Sequence, residues 1–224
     1  MNDNLLKTKA KEARKEIFKF KTESGFGHLA SCLCCVDFLV SLEYVDQKEL
    51  KNYCQPEGMF RLHSDSSIPG CYFVGGSLGN GVGHAAGLAY SSDKKVYVVL
   101  GDAELYEGSV WETLMFVAHH NINNLHLIID RNGMGILGHT EELLKLEPLD
   151  EKFKSFGVDV ETVDGHNFSQ LRKTFSTNNQ RPKVTIANTI KGKGVSYMED
   201  VWQYHTIIPS DQELLETGIK DLNK

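Results

Sequence analysis

Two short apolar runs separated by one helix-length segment constrain the fold of this chain more than any other feature. Residues 96–100 (VYVVL) and 125–129 (LHLII) have the length and branched apolar composition of buried strands, and residues 109–119 have the pattern of a helix. Two further strands are predicted at 158–163 and 184–188. Strand–helix–strand units at this interval are typical of a parallel sheet with right-handed crossovers. The sequence therefore predicts an α/β fold: a doubly wound, mostly parallel sheet with helices on both faces.

Helices and loops are predicted around this sheet. The first twenty residues have the pattern of an amphipathic helix, and a second helix is predicted over residues 30–44. Residues 45–72 are polar and contain turn signals, so they are predicted to be mainly loop. No repeat or linker divides the chain. We expect a single domain over residues 1–224, with 1–72 as a lead-in and 206–224 as a tail.

The composition excludes several classes of protein. Hydrophobic residues make up 41% and charged residues 24% of the chain, which supports a core and excludes general disorder. The net charge of −6, without a basic stripe, argues against nucleic acid as a partner. No apolar run approaches the ~18–20 residues of a membrane span, so no membrane association is expected. Cys32, Cys34 and Cys35 are predicted to be small buried groups, which favours a reducing, cytoplasmic location.

Polar clusters follow the first two predicted strands. One begins at Gly101-Asp102 and the other runs from Asp130 through Asn132 to Met134. Because ligands bind beyond the carboxyl ends of parallel strands, Asp102 and Asn132 would lie side by side if the two strands are neighbours. A carboxylate, an amide oxygen and a backbone carbonyl suit Mg²⁺, and Ca²⁺ or Mn²⁺ could replace it. Taken alone, the same residues are more typical of ordinary turn and N-cap positions than of a metal site.

The thirty-position spacing of Asp102 and Asn132 resembles the thiamine-diphosphate motif, in which GDG is followed by a turn that contains Asn. The segment GDAELYEGSVWE at 101–112 is similar to the transketolase version, which carries a Glu-Gly pair behind GDG. Further transketolase-like segments follow in family order: Gly27-His28, GGSLGNG at 75–81, VDGH at 163–166, KGKGVS at 191–196, and Trp202 with His205. The resemblance covers about residues 10–212 and is to the amino-terminal, diphosphate-binding subunit of a split transketolase.

This resemblance implies a set of cofactor and metal residues. The side chains of Asp102 and Asn132 and the carbonyl of Met134 would bind the metal. The residues implied to bind thiamine diphosphate are Gly76, Ser77, Leu78, Gly101, Asp102, Ala103, Glu107, Asn132, Ile136 and His205. Glu107 would also belong to the buried glutamate network that couples two active sites in this family.

The resemblance also implies catalytic histidines. His28 and His63 would face the sugar and move protons, because imidazole titrates in the useful pH range. His205 would contact the diphosphate. Lys191 and Lys193 are interpreted as a solvated turn, with a clamp on the phosphate as the alternative. The remaining histidines are interpreted as structural: His84, His119, His120, His126, His139 and His166.

Three departures from the family pattern accompany these assignments. Ala103 replaces the second glycine of GDG, so its Cβ is expected where the backbone approaches the diphosphate. The segment at 45–62 is shortened, and the chain ends where a pyrimidine-binding domain would begin. The resemblance therefore implies a partner subunit that carries this domain, in an α₂β₂ assembly.

The function implied by the resemblance is transfer of a two-carbon ketol unit from a ketose or ketose phosphate to an aldose. One alternative is the α subunit of a 2-oxo-acid dehydrogenase, which shares the fold and the metal motif. A second alternative is a non-catalytic binding or regulatory subunit, which Ala103 and the shortened segment favour.

Overall fold

The computed structural model describes residues 2–25, 27–42, 72–73 and 75–224. In these ranges four strands form one parallel sheet in the order β1-β2-β4-β3. The strands are β1 (Val96–Gly101), β2 (Leu125–Arg131), β3 (Asp159–Asp164) and β4 (Lys183–Asn188). All four predicted strands are thus present, within two residues of their predicted ends, and the predicted parallel sheet is confirmed.

The helices surround this sheet. They are α1 (Asp3–Ser24), α2 (Leu29–Cys34), α3 (Val36–Ser41), α4 (Asn80–Tyr90), α5 (Gly108–His119), α6 (Thr140–Leu143), α7 (Leu149–Ser155), α8 (Phe168–Ser176) and α9 (Gln212–Asn223). Two short 3₁₀ turns lie at Asp102–Tyr106 and Trp202–His205. The single helix predicted over 30–44 is wrong in one respect, because the chain breaks at Cys35 between α2 and α3. In the described ranges, no helix is both long and apolar enough to cross a membrane.

Helices cover both faces of the sheet at its central strand β2, whereas Tyr97 and Val99 on one face of edge strand β1 are exposed. Successive residues of a strand point to opposite faces, and Leu127 and Ile128 of β2 are both fully buried. Leu127 belongs to a core formed with α4, α5 and α7, whereas Ile128 packs with Phe38 of α3 and Leu171 of α8. Burial on both faces is what an all-parallel sheet requires. The prediction of helices on both faces is confirmed.

The segment after residue 206 packs against the first helix. Gly218 of α9 lies so close to Phe18 of α1 that an added Cβ would overlap the Phe18 ring. Leu222 of α9, Phe18, and Leu29 and Leu33 of α2 belong to one buried apolar cluster. This cluster fixes α2, and with it His28 at the N-cap of α2, against the rest of the chain.

Candidate cofactor and metal site

The carboxyl ends of β1 and β2 lie next to each other, as the spacing of the two polar clusters predicts. Gly101 of β1 is in register with Asp130 of β2, and Asp130 is in register with Ala187 of β4. Asp102 follows β1 directly, and its Oδ2 accepts a 2.6 Å hydrogen bond from the backbone N–H of Gly133. The turns after the two strands are therefore in direct contact at one edge of the sheet.

The carboxylate of Asp102 is the most buried acidic group of this edge, with 1% of the residue exposed. Its Oδ1 accepts from the N–H of Ala103 (2.9 Å), and its Oδ2 accepts from Gly133 and from Nη1 of Arg131 (3.1 Å). Burial raises the pKa of Asp102, although the Gly133 N–H and the Arg131 guanidinium both oppose this shift. A buried carboxylate with a remaining oxygen lone pair is suited to a further cation.

Asn132 begins the loop after β2. Its Oδ1 accepts from the N–H of Met134 at 3.1 Å, and its Nδ2 donates to the carbonyl of Asp130 at 3.4 Å. Hydrogen bonds from Gly135 N–H to the Gly138 carbonyl (2.8 Å) and from Thr140 N–H to the Gly133 carbonyl (2.9 Å) close the loop. The donors assembled here are one carboxylate, one amide and backbone carbonyls, which are hard oxygen ligands.

The part of the chain that the structure describes contains no metal site built only from clustered His, Cys, Asp or Glu side chains. No group of three or more His, Cys, Asp or Glu in that part could hold a metal ion. The oxygen set at Asp102 and Asn132 fits a different kind of site, because Mg²⁺ takes few protein ligands and completes its octahedron with water and phosphate oxygens.

Arg131 joins this edge to the loop beyond it, and sequence analysis assigns no specific role to this residue. Its Nη1 donates to Asp102 and to Oγ1 of Thr140 (2.7 Å), and its Nη2 donates to Glu141 (2.8 Å) and Glu147 (3.0 Å). Its side chain is only 10% exposed. The available signal was an arginine at the end of a buried strand, directly between Asp130 and Asn132, where a charge needs a partner.

Basic side chains meet at the same end of the sheet. The rings of His28 and His205 lie 4.8 Å apart between centroids. Burial, with the charges of Lys191 and His28, lowers the pKa of His205 to about 4. The Nδ1 atom of His205 is buried, and it has no hydrogen-bond partner among the described residues. Such an orphaned atom is expected where a bound molecule completes the contacts.

Lys191 is buried, so its interpretation as part of a solvated turn is wrong. The residue is 1% exposed, and its Nζ donates to Oγ of Ser31 at 3.2 Å. No carboxylate of the described ranges lies within ion-pair distance of this ammonium. Lys193 does lie in a partly exposed turn, with its Nζ 3.5 Å from Glu199. Packing of the loop under α2 explains the difference, since Gly192 N–H donates to the carbonyl of Ala30 at 3.0 Å.

The residues beneath the site form a buried polar cluster around Asp130. Its carboxylate accepts from the thiol of Cys34 at 3.0 Å and from the hydroxyl of Thr189. Burial raises the pKa of Asp130, and burial together with Asp130 raises the pKa of the Cys34 thiol well above its ordinary value. Cys34 is therefore a buried thiol, as predicted, whereas Cys32 and Cys35 are only partly buried.

The glycine-rich segment before α4 is anchored to the same edge through Gly79. The N–H of Gly79 donates to Glu104 at 2.8 Å, and its carbonyl accepts from Ser109 at 3.0 Å. Gly79 has a φ of 79°, and an added Cβ would overlap Ser109 Oγ and come within 2.6 Å of Glu107 Cβ. This close approach brings the preceding residues, which are exposed, to the turn that contains Asp102. Those residues are Gly76, Ser77 and Leu78.

The remaining predicted residues have varied environments. Ala103 is partly buried, and its Cβ would lie 3.4 Å from a Cβ added to Gly135, so its methyl group lies beside the loop after β2. Ile136 of that loop is 51% exposed, and Glu107, at the N-cap of α5, is also exposed. His63 lies outside the described residues.

The fold and the site define a cofactor-binding α/β domain. Comparison with protein families identifies the family to which this domain belongs. Residues 23–217 match the family model described as the transketolase, thiamine diphosphate binding domain. The chain therefore belongs to the transketolase family. The predicted resemblance to transketolases is confirmed, and the relatives' names favour it over the 2-oxo-acid dehydrogenase alternative.

Curated relatives include both single subunits and whole enzymes. The chain is 32% identical to one subunit of the apulose-4-phosphate transketolase of Actinobacillus succinogenes, over 97% of this chain and 95% of the relative. It is 32% identical to a 6-deoxy-6-sulfo-D-fructose transketolase subunit of a Clostridium species, over 76% of this chain and 65% of the relative. It is 38% identical to human transketolase, over 58% of this chain but only 22% of that enzyme.

Solved transketolases have the same fold. The crystal structure from Campylobacter jejuni superposes with a TM-score of 0.90 at 22% identity, over all of this chain and 43% of that chain. The structure from Leishmania mexicana superposes with a TM-score of 0.80 at 18% identity, over 97% of this chain and 44% of that one. The chain thus spans less than half the length of these enzymes.

Proposed function

We propose that this chain is the diphosphate-binding subunit of a two-chain transketolase, which transfers a two-carbon ketol unit from a ketose or ketose phosphate to an aldose. Membership of the family supports the cofactor, thiamine diphosphate. A relative that the chain matches nearly end to end is named as one subunit of a transketolase, which supports the division into two chains.

The observation that carries the proposal is the buried ammonium of Lys191, which has no carboxylate within ion-pair distance in the described ranges and lies near His205. The ammonium of Lys191 has only the hydroxyl of Ser31 as a hydrogen-bond partner within the described ranges. The charge of Lys191 lowers the pKa of the buried Asp130 carboxylate, but the two groups make no direct ion pair, so the ammonium can contact a bound anion. The orphaned Nδ1 of His205 lies in the same cluster. Both groups fit the anionic diphosphate of the cofactor.

The proposed metal site consists of oxygen donors from the two adjoining turns. Asp102 would use the Oδ1 side of its carboxylate, because Oδ2 is held by Gly133 and Arg131. Asn132 would contribute Oδ1, and Met134 its backbone carbonyl. These donors suit Mg²⁺, and they are compatible with Ca²⁺ or Mn²⁺ because all three ions accept oxygen ligands.

The proposed cofactor-binding surface is the exposed segment before α4, together with the turns after β1 and β2. The residues proposed to line it are Gly76, Ser77, Leu78, Gly101, Ala103, Glu107 and Ile136. All of these residues except the partly buried Ala103 are exposed, which is consistent with a surface that a bound molecule or a partner covers. The methyl group of Ala103 lies beside Gly135, in the loop after β2.

Three histidines complete the proposed active site. A bound thiamine diphosphate supplies the nucleophilic carbon that breaks and re-forms the carbon–carbon bond of the sugar. His28 would hydrogen-bond a hydroxyl of the sugar and move its proton. Nδ1 of His205 would contact the diphosphate, and the lowered pKa keeps this imidazole neutral near pH 7. His63 is assigned to the substrate on the family resemblance.

The proposed partner is a second transketolase subunit that carries the pyrimidine-binding domain, in an assembly of two copies of each chain. Exposed apolar side chains on and around α4 and α5 support such an interface, since large exposed patches mark binding surfaces. Leu78, Tyr90, Met115 and Phe116 are between 41% and 60% exposed. We also place the assembly in the cytoplasm, which agrees with the free thiols of Cys32, Cys34 and Cys35.

The test is an assay of the purified chain with and without its companion subunit. The reaction contains thiamine diphosphate, Mg²⁺, several ketose phosphates and an aldose acceptor. We expect turnover only when both chains are present. Turnover by rigorously partner-free protein would contradict the two-chain proposal. Failure of the complex to bind thiamine diphosphate would instead support a non-catalytic subunit, the second candidate, which Ala103 at the second glycine position of GDG favours.

A further inference from the structure

His166, in the loop between β3 and α8, connects an ion pair near the start of the chain to the loop that carries Lys191. Its Nδ1 lies 2.6 Å from Oδ2 of Asp37, and its Nε2 accepts from the backbone N–H of Ile190 at 2.9 Å. Asp37 is in turn held by Arg14, whose Nη1 and Nη2 donate to the two carboxylate oxygens at 3.0 and 2.6 Å. The chain of contacts runs from α1 and α3 to the loop after β4.

The hydrogen bonds determine where the imidazole proton lies. A backbone N–H is only a donor, so Nε2 of His166 must be the unprotonated nitrogen that accepts it. The proton of the neutral ring is therefore on Nδ1, where it is donated to Asp37. Burial would raise the pKa of Asp37, but the hydrogen bonds from His166 and Arg14 outweigh burial and lower it. Asp37 is thus an ionised acceptor that holds this tautomer.

Ile190 is the residue directly before Lys191, so this hydrogen bond acts on the backbone that presents the buried ammonium. The same loop is held on either side by Thr189 N–H to the Arg131 carbonyl (3.1 Å) and by Gly192 N–H to the Ala30 carbonyl (3.0 Å). The hydrogen bond from Ile190 to His166 lies between these two, and it is the one of the three in which a side chain is the acceptor.

We propose that His166 is a positioning residue for the cofactor site: its Nδ1–H tautomer, fixed by Asp37, holds the Ile190 N–H and thereby places the ammonium of Lys191 for a bound diphosphate. The role of the ammonium rests on the proposed function, whereas its placement by His166 can be measured without a cofactor. The histidine is not a catalytic residue, because both ring nitrogens are engaged within the protein.

Two substitutions of His166 separate its hydrogen bond to Asp37 from its hydrogen bond to Ile190. In His166→Gln the longer side chain places its oxygen near the position of Nε2, so Ile190 keeps an acceptor while the link to Asp37 is lost. In His166→Asn the shorter side chain places its amide near Nδ1, so the link to Asp37 is kept while Ile190 loses its acceptor. A role in overall stability alone would affect both variants through their melting temperatures and would not distinguish their effects on Lys191.

The first measurement is the rate at which an amine-reactive reagent labels Lys191 in the full chain, read by peptide mass spectrometry. Lys193, two residues away and partly exposed, is the internal control. We expect His166→Asn to raise the Lys191 rate by about 10-fold, the effect of losing one ordinary hydrogen bond. Labelling of Lys193 should not change, and His166→Gln should remain close to the wild type. Equal Lys191 rates in all three proteins would overturn the proposal.

The second measurement needs no variant and therefore does not depend on folding of a mutant. In ¹⁵N-histidine NMR spectra of the wild type near pH 7, Nδ1 of His166 should show a bound proton and Nε2 should not. A proton on Nε2 would contradict the proposal.

Titration with thiamine diphosphate and Mg²⁺, in the presence of the companion subunit, tests the link to function. We expect about 10-fold weaker binding in His166→Asn, in proportion to the displaced ammonium. Unchanged affinity in His166→Asn, with Lys191 displaced, would refute the link to the diphosphate. Failure of the wild type to bind would refute the proposed function, while the labelling and NMR results would still decide the positioning role.

Discussion

The carboxylate of Asp102 and the backbone N–H of Gly133 are joined by a 2.6 Å hydrogen bond across 31 positions of sequence. This bond makes the turn after β1 and the turn after β2 a single unit. A change in either turn is therefore transmitted to the other, and a substitution in one turn is expected to alter ligand binding at both.

The metal assignment predicts a specific loss on removal of an amide oxygen. Asn132→Ala should weaken Mg²⁺-dependent binding of thiamine diphosphate by more than the ~10–100-fold typical of losing a supporting contact, because a direct ligand is removed. Asn188→Ala is the matched control, since Asn188 is an exposed asparagine at the end of neighbouring β4. Calorimetric titration with circular dichroism of both variants provides the measurement. Equal affinities in the two variants would exclude Asn132 as a ligand.

The buried ion pair between Arg131 and Asp102 predicts that removal of the guanidinium lowers the free energy of unfolding, in addition to any effect on activity. Arg131→Ala leaves the buried Asp102 carboxylate without its guanidinium, and breaking a buried ion pair typically costs about 3–5 kcal/mol. Arg172→Ala is the control, because its ion pair with Asp3 is exposed and should contribute about 0–1 kcal/mol. Urea unfolding of both variants measures the difference. Similar free energies of unfolding would show that the Arg131 network does not stabilise the chain.

The close packing around Gly79 predicts that an added side chain destabilises the fold by steric overlap as well as by backbone strain, and the two effects can be measured separately. Gly79→Ala combines a left-handed φ with a Cβ that overlaps Ser109 Oγ. Gly25→Ala has a φ of 66°, and apart from its chain neighbours its Cβ would meet no described residue within 4 Å. Strain alone costs roughly 1–2 kcal/mol. We expect Gly25→Ala to lose about that amount and Gly79→Ala to lose more, together with cofactor affinity. Thermal unfolding would contradict this if the two variants melted at the same temperature.

The lowered pKa of the buried His126 predicts that the free energy of unfolding depends on pH. Burial, with the charge of Lys183, lowers the pKa of His126 from 6.5 to about 3, so the unfolded chain binds a proton that the folded chain does not between these values. The contribution of His126 to stability therefore falls as the pH is lowered through this window. At about 1.4 kcal/mol per pKa unit, the loss between pH 7 and pH 4 is about 3 kcal/mol.

The measurement compares the free energy of unfolding of the wild type and His126→Gln at several pH values. The difference between the two proteins removes the contributions of other titrating groups. The wild type should lose stability relative to His126→Gln as the pH falls from 7 to 4. A constant difference would show that His126 titrates normally in the folded chain.

The exposed apolar surface of α5 predicts the site of assembly. Phe116→Asp should weaken association with the companion subunit by at least about 30-fold, the effect of losing a buried aromatic anchor. Ile219→Asp on α9 is the matched control, since Ile219 is 54% exposed and Phe116 is 41% exposed. Analytical ultracentrifugation of mixed subunits gives the affinities. Wild-type association of Phe116→Asp would place the interface elsewhere.

The strands are predictable because local composition determines them. Runs such as 125–129 are too apolar to be anything but buried, and β2 begins at the predicted residue, Leu125. The pairing of Asp102 with the turn after β2 follows from spacing, since a crossover of that length joins neighbouring strands. The predicted helix over 30–44 breaks at Cys35 because two short helices pack on different partners, α2 beside α9 and α3 beside α8. Such a break depends on tertiary packing.

The environments of Arg131 and Lys191 could not be predicted from sequence. Arg131 depends on where the loop after β2 places Glu141 and Glu147, and both carboxylates are brought to it by the fold of that loop. Lys191 lies in a glycine-rich segment with the composition of an exposed turn. Its burial follows only from the packing of that segment under α2, which comes from the other end of the chain.

The contact between Lys191 and Ser31 spans 160 positions of sequence, and it has a consequence for synthesis on the ribosome. Loops that long close slowly, because their entropy is lost before the contact forms. The basic cluster therefore assembles only after β4 and the loop behind it have emerged. The proposed cofactor could then stabilise only chains that extend beyond this loop, since a ligand that binds the native state has no effect on earlier intermediates. Nascent chains shorter than this gain nothing from the cofactor and depend on their own packing and hydrogen bonds.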